Sequence, residues 1–252
     1  MSLGASSPLF LVSGLPLRER RPTSFERQLR LLAEFFLRRG VQAEVLGLEE
    51  AIANRRARAA VLLGYPDQFP ILSAQGVPEF PLYLWAQFSR PPDPRAFGCA
   101  TVVPLTEASA AFLVRAGFGR IGPVIPHGVE TRLFRPPEPR EHARARRALG
   151  VEGRFVVGAV GANSFRKRYD RILESFALFQ RVRGDAALVI HTDRAVSLEG
   201  TDLKRMAERL GIGERVLLLT EERTPRRMFE LYAAMDLFLN LSEWEGFCLP
   251  AV

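Results

Sequence analysis

Two short clusters in this chain put charged side chains where a parallel α/β sheet presents its ligands. The first is Ser242-Glu243-Trp244-Glu245-Gly246-Phe247-Cys248-Leu249-Pro250. An apolar run, Asp236 to Leu241, empties into it, so Glu245 is expected just past the carboxyl end of a buried strand. Pro250 suits the first turn of a following helix. Open parallel sheets bind ligands beyond strand carboxyl ends and near helix amino termini. A carboxylate at this place can meet such a ligand, or it can cap the next helix. The second cluster is Arg166-Lys167-Arg168, which follows the glycine-flanked segment Gly158-Ala159-Val160-Gly161-Ala162-Asn163 and opens a helix. Cations at a helix amino terminus oppose the macrodipole. A bound anion would offset that conflict.

The elements that position these clusters read as two α/β series. In the first, Leu9 to Gly14 is an expected buried strand and Pro16 to Pro22 a basic loop. Thr23-Ser24-Phe25-Glu26 has the form of a capping box, and Phe25, Leu29, Leu32 and Phe36 recur at helical spacing up to Gly40. Val41 to Gly47, Ala60 to Gly64, Leu82 to Trp85 and Thr101 to Leu105 are expected strands, with a proline-rich loop from Pro66 to Pro81. A helix from Glu107 to Ala116 and a short strand from Pro123 to Pro126 follow. Pro136-Pro137-Glu138-Pro139 breaks regular structure and reads as a linker. The second series has helices at 140–149, 169–181, 202–210 and 225–234. Its strands are expected at 155–160, 186–191, 215–220 and 236–241. Alternating strands and helices imply mostly parallel sheets covered on both faces.

Two apparent motifs carry no weight. Gly117-Phe118-Gly119-Arg120-Ile121-Gly122 has dinucleotide spacing, but it follows a helix instead of a strand and reads as a helix end and turn. Asn240-Leu241-Ser242 fits a glycosylation sequon but falls in the expected buried strand.

Three segments together resemble the family 4 retaining glycosyltransferases. The Ser242 to Pro250 stretch is similar to their "(S)xxEGFGLPxxEA" donor-site pattern. Val124 to Pro136, with Ile125-Pro126-His127-Gly128-Val129-Glu130, resembles the "IPNGVDxxxFxP" passage between acceptor and donor domains, with His127 where asparagine is commoner. Gly158 to Asp170 resembles "vGRxxxxKGxdxLLxAf". The resemblance implies that Lys167 neutralises the diphosphate of a nucleotide sugar. The family's arginine position holds Ala162, and Arg166 is the candidate for the missing charge. Glu245 would contact the donor sugar, and the backbone of Gly246, Phe247 and Cys248 would face the phosphates. Cys248 stands where glycine is usual. His127 and Gly128 would line the interdomain cleft, either as a hinge turn or as part of the site, with no role as base assigned to His127. His191-Thr192-Asp193 reads as a loop lining the nucleotide cleft. Its histidine and acid are separated by one residue, and no nucleophile lies nearby.

Composition sets the outer bounds. The chain has 252 residues, 47% hydrophobic and 25% charged, enough for one large domain or two modest ones. No apolar run reaches membrane-spanning length, and the start lacks the basic leader of a signal peptide. Cys99 and Cys248 lie far apart without metal-ligand spacing, which points to a reducing cytoplasm. The net charge is +7. Only Lys167 and Lys204 are lysines, so the basic charge is almost all arginine. This reads as a solvated basic surface or as attraction to an anionic partner. The basic excess is larger in the first 140 residues, which weakly favours an anionic membrane face or acceptor there.

The combined expectation is an α/β chain of GT-B type with two Rossmann-like domains and mostly parallel sheets. Residues 1–136 would form the acceptor-side domain and 137–252 a partial nucleotide-sugar donor domain. The pattern's second glutamate would fall just after Val252, so the second domain is expected to be incomplete and the chain alone poorly stable and nearly inactive. The implied reaction moves a sugar from a nucleotide-diphosphate donor to an acceptor hydroxyl with retention, without metal or other cofactor. The acceptor would be a glycan, a lipid-linked molecule or a small molecule, met in the cytoplasm or at the inner membrane face. A non-catalytic nucleotide-sugar or partner-binding relative is the first alternative. An arginine-rich nucleic-acid binder ranks last, for want of any motif.

Overall fold

The computed structural model describes residues 7–13, 17, 24–53, 57–64, 80–86, 94 and 99–252. The basic loop at Pro16 to Pro22 (Leu17 apart), Thr23 of the capping box and nearly all of the proline-rich loop from Pro66 lie outside them. The chain divides into two compact units, Met1–Gly128 and Val129–Val252. The division falls in the His127-Gly128-Val129 turn, ahead of the proline-rich stretch at Pro136.

The first unit is built on five parallel strands: β1 (Leu9–Ser13), β2 (Ala43–Gly47), β3 (Ala59–Gly64), β4 (Leu82–Ala86) and β5 (Ala100–Val103). Their order is β2-β1-β3-β4-β5. Every residue of β1 is buried, as a central strand covered on both faces requires. Helix α1 (Ser24–Leu37) buries Phe25, Leu29 and Ala33 at its helical spacing. A short helix, α2 (Leu48–Ala53), follows β2 with no intervening loop. Its six residues offer too little periodicity to be read from sequence. Helix α3 (Glu107–Arg115) is capped by Thr106, whose hydroxyl accepts from the Ser109 N–H at 3.1 Å. It runs out into Gly117, which has φ +83°, so the glycine-rich run is a helix end followed by a turn. The strand expected at Pro123 to Pro126 does not form. Ile121 makes one bridge to Val102, and the Ile125 N–H donates to Pro104 O at 2.9 Å. Two prolines in four residues remove the donors a ladder needs.

The second unit carries β6 (Phe155–Val160), β7 (Ala186–His191), β8 (Val216–Leu219) and β9 (Leu237–Phe238), in the order β8-β7-β6-β9 and all parallel. Helix α4 (Pro139–Leu149) starts from a capping box between Glu138 and Glu141, with proline in its first turn, and ends on Gly150 at φ +66°. The expected linker thus leads straight into a helix. Helix α5 (Tyr169–Val182) buries Tyr169, Ile172, Leu173, Phe176 and Ala177 against Leu188 and Ile190. Full burial of each large apolar side chain here contributes about 1.5–3 kcal/mol. Helices α6 (Leu203–Arg209) and α7 (Pro225–Ala233) complete the described layers.

The expected strand from Asp236 to Leu241 shrinks to two residues, and Leu237 is 46% exposed. Asp236 is used differently. Its carboxylate accepts from the Val156 N–H at 2.6 Å and from Arg146 of α4, while its own N–H donates to Val156 O at 2.8 Å. These bonds fix where β9 joins β6. Asn240 to Ser242 lies beyond the strand as an irregular loop, Asn240 exposed and Leu241 and Ser242 half-buried, with Ser242 Oγ and Asn240 Oδ1 2.6 Å apart.

Candidate functional site

The loop after β6 and the loop after β9 meet at the carboxyl end of the second sheet. Gly161 opens the first loop at φ +155°, with its N–H donating to His191 O at 3.0 Å and its carbonyl accepting from Tyr169 Oη at 2.8 Å. The absence of a side chain there makes room for Lys167: a Cβ on Gly161 would stand 3.0 Å from Lys167 Cε. Phe165–Lys167 forms one 3-10 turn before α5. Lys167 is buried, an unusual place for a lysine unless it is paired.

Its partner is Glu245. Lys167 Nζ donates to Glu245 Oε1, and Arg166 Nη1 donates to Glu245 Oε2 at 2.9 Å and to Trp244 O at 3.2 Å. Burial acts to raise the Glu245 pKa. Hydrogen bonds from Lys167 and Ser242 and the charges of Lys167 and Arg166 outweigh it, and the net shift is downward. Arg166, Lys167 and Glu245 are therefore brought together, as a carboxylate held between two cations. Gly246 and Phe247 continue the loop half-buried. Cys248 adopts the left-handed conformation, φ +64°, that suits glycine. Its Sγ accepts from Asn240 Nδ2 at 3.1 Å, and burial together with the nearby Glu245 charge pushes the thiol pKa up. A short 3-10 turn, Leu249–Ala251, follows with Pro250 in it.

Neighbouring residues lock the first loop. Asn163 is buried. Its Nδ2 donates to Thr201 O at 2.6 Å and to Arg194 O at 3.3 Å, and its Oδ1 accepts from the Thr201 N–H at 3.0 Å. The Phe165 N–H donates to Glu199 O. The Asp193 carboxylate accepts from the Asn163 N–H at 2.8 Å and from Arg194 Nε. Burial acts to raise the Asp193 pKa, but these hydrogen bonds outweigh it and lower it. His191 Nε2 instead pairs with Glu221 O at 3.0 Å. The two side chains serve different loops and form no acid–base couple.

His127 and Gly128 end the first unit. His127 is buried with its ring edge-on to Trp85, centroids 4.7 Å apart, and desolvation lowers its pKa to about 4. Gly128 is gripped by the Gln28 amide, which accepts from its N–H at 3.1 Å and donates to its O at 3.2 Å. The freedom expected of Gly128 goes unused: its φ is not positive and a Cβ would meet nothing within 4 Å. Sequence reasoning missed the roles of Gln28 and Asn163. Asn163 and Gln28 act across 38 and 100 residues, and no local pattern marks them. Among the described residues, no three His, Cys, Asp or Glu side chains are grouped to hold a metal ion, and no helix is long and apolar enough to cross a membrane.

Residues 141–252, which carry this site, match the family described as glycosyl transferases group 1. A curated relative is the lipopolysaccharide core biosynthesis mannosyltransferase LpsB of Rhizobium meliloti, 29% identical over 130 residues. That match covers 50% of this chain and 35% of LpsB, so the chain spans about a third of the relative it matches. Among solved structures, Anabaena HepE in complex with UDP and glucose superposes with a TM-score of 0.70 at 17% identity, covering 96% of this chain and 76% of HepE. WaaG, a glycosyltransferase involved in lipopolysaccharide biosynthesis, gives a TM-score of 0.64 at 15% identity, covering 94% of this chain and 76% of WaaG. These likenesses show the fold, which is of the GT-B class with two Rossmann-like units.

Proposed function

We propose that this chain acts in glycosyl transfer from a nucleoside-diphosphate sugar, with residues 137–252 as the donor-binding part and residues 1–136 on the acceptor side. The observation that carries this reading is the convergence of Lys167 and Arg166 on Glu245 at the carboxyl end of a parallel sheet. A diphosphate leaving group needs fixed positive charge where its own charge develops. Lys167 and Arg166 supply two cations side by side, with Arg166 taking the part for which Ala162 has no charge. Glu245 accepts from sugar hydroxyls, and the Gly246 to Cys248 backbone N–H groups face the phosphates. On donor binding, the cations divide their hydrogen bonds between Glu245 and the diphosphate.

The transfer proceeds with retention. The bond from the anomeric carbon to the diphosphate oxygen breaks, and the acceptor hydroxyl oxygen bonds to that carbon on the same face. The hydroxyl proton passes to the departing phosphate oxygen. The protein contributes positioning and charge stabilisation, and no protein nucleophile or metal takes part. A saccharide acceptor, met in the cytoplasm or at the inner membrane face, fits the lipopolysaccharide assignment of the curated relative.

The test is a calorimetric titration of the chain with UDP-, GDP- and ADP-sugars, followed by transfer assays on saccharide acceptors with the product anomer read by NMR. Binding of one nucleotide sugar, abolished by Lys167→Ala, is expected, and any product formed should keep the donor's anomeric configuration. Failure to bind any of them, or an inverted product, would sink the reading. Ala162 and Cys248, both departures from the resembling patterns, favour one other outcome: donor binding without turnover.

A further inference from the structure

We propose that Arg168 is a positioning residue of the donor site, tying the loop after β9 to the turn after β6 so that Glu245 and Lys167 stay in register. The proposal rests on the donor-site reading above.

Arg168 stands where the resembling pattern has glycine after its lysine, and it keeps the glycine conformation, with φ +51° and ψ +45°. A residue with a Cβ in that region is strained, and such strain persists only where surrounding contacts over-determine it. The contacts are specific. Arg168 Nε and Nη2 grip the Asp170 carboxylate at 3.0 and 2.7 Å, and Nη1 reaches Glu243 Oε1 at 2.5 Å. The Glu243 N–H in turn donates to Arg166 O at 2.8 Å. Glu243 is therefore held twice by the 166–168 turn, and Glu245 follows two residues later. Asp170 fixes the guanidinium to the first turn of α5, so the fork has one free arm, and that arm is aimed at the Glu243 loop. A lysine has no second arm to make this bridge, and a glycine has none at all. The strain at Arg168 thus accompanies a link between two loops that glycine could not provide.

The test uses the whole chain with Arg168→Gly, Glu243→Gln and the double variant, beside Lys167→Ala as a control. Two readouts are needed: amide hydrogen exchange at Glu243 to Glu245 in the free protein, and affinity for UDP, GDP and ADP. Arg168→Gly relieves the backbone strain, so thermal unfolding should hold or rise while Glu243 amide exchange quickens and nucleotide affinity falls, each about tenfold. Glu243→Gln leaves the strain in place but should quicken the same exchange and weaken the same affinity, and the double variant should be no worse than Arg168→Gly. If Lys167→Ala loses the nucleotide while Arg168→Gly and Glu243→Gln bind like the parent, the proposal is overturned. If Arg168→Gly leaves the Glu243 amide protected, the link itself is refuted. If exchange quickens as expected and the parent binds none of the three nucleotides, the donor-site reading fails and the positioning role falls with it.

Discussion

Gly161 and Lys167 fit each other as backbone and side chain: a Cβ at Gly161 would lie 3.0 Å from Lys167 Cε and 3.3 Å from Nζ. The lysine reaches Glu245 only by crossing the space glycine leaves. Gly161→Ala should therefore displace Lys167 and also strain a backbone at φ +155°. The expected outcome is a stability loss of about 1–2 kcal/mol and a drop in nucleotide affinity close to that of Lys167→Ala. Urea unfolding and nucleotide titration of the same variant check the two parts. A variant that binds like the parent would show that the lysine does not need the passage.

Glu245 gives an acid-side signature. Its pKa is lowered in the folded protein, so the unfolded chain binds its proton first as pH falls. The stabilisation is fully present above the ordinary carboxylate value and is lost as pH drops through the lowered folded value. Lys167→Ala should move the Glu245 titration upward and weaken this acid-dependent component. The check is a carboxyl carbon NMR titration of Glu245 in both proteins. An unmoved midpoint would contradict the pairing.

His127 acts with the same sign in a higher pH window. Its folded pKa is about 4 against an ordinary 6.5, so between those values only the unfolded state takes up the proton. Stability of the first unit should fall as pH drops below 6.5 and level off below about 4, with a total near 3 kcal/mol. His127→Asn should remove most of this slope. Denaturant unfolding at pH 7.5, 5.5 and 4.5 measures it, and equal slopes in both proteins would refute it.

Asn163 meets Thr201 through both of its side-chain polar atoms. Asn163→Ala leaves the half-buried Thr201 N–H and carbonyl without these partners, an expected cost of about 1 kcal/mol. The loop from Arg194 to Thr201 should then open on its own, ahead of global unfolding. Hydrogen exchange at the Phe165 and Thr201 amides reports this opening, and protection equal to the parent's would count against the lock.

The sequence was most legible where one element satisfies itself. α5 announces its buried face through Tyr169, Ile172, Leu173 and Phe176, and β6 and β7 are continuous apolar runs, as parallel strands buried on both faces must be. β9 misled because Asp236 to Leu241 has strand composition, while only Leu237 and Phe238 enter the ladder, on one side. The meeting of Lys167 with Glu245 was suggested by pattern alone. Its second layer was hidden, since left-handed Arg168 looks in sequence like one more cation in a basic run. Asn163 was equally silent, because its partners come from a loop that carries no signal of where it folds back.

The delay between β6 and β9 has a consequence for synthesis on the ribosome. Val156 finds its Asp236 partner 80 residues later in the chain. At about 5–20 residues per second, the outer edge of β6 stays unpaired for roughly 4–16 s, well after β7 has emerged to cover the other side. That interval is long compared with strand association. The nascent second unit therefore presents an open, apolar edge to other chains and to chaperones until Asp236 and Leu237 emerge and close it.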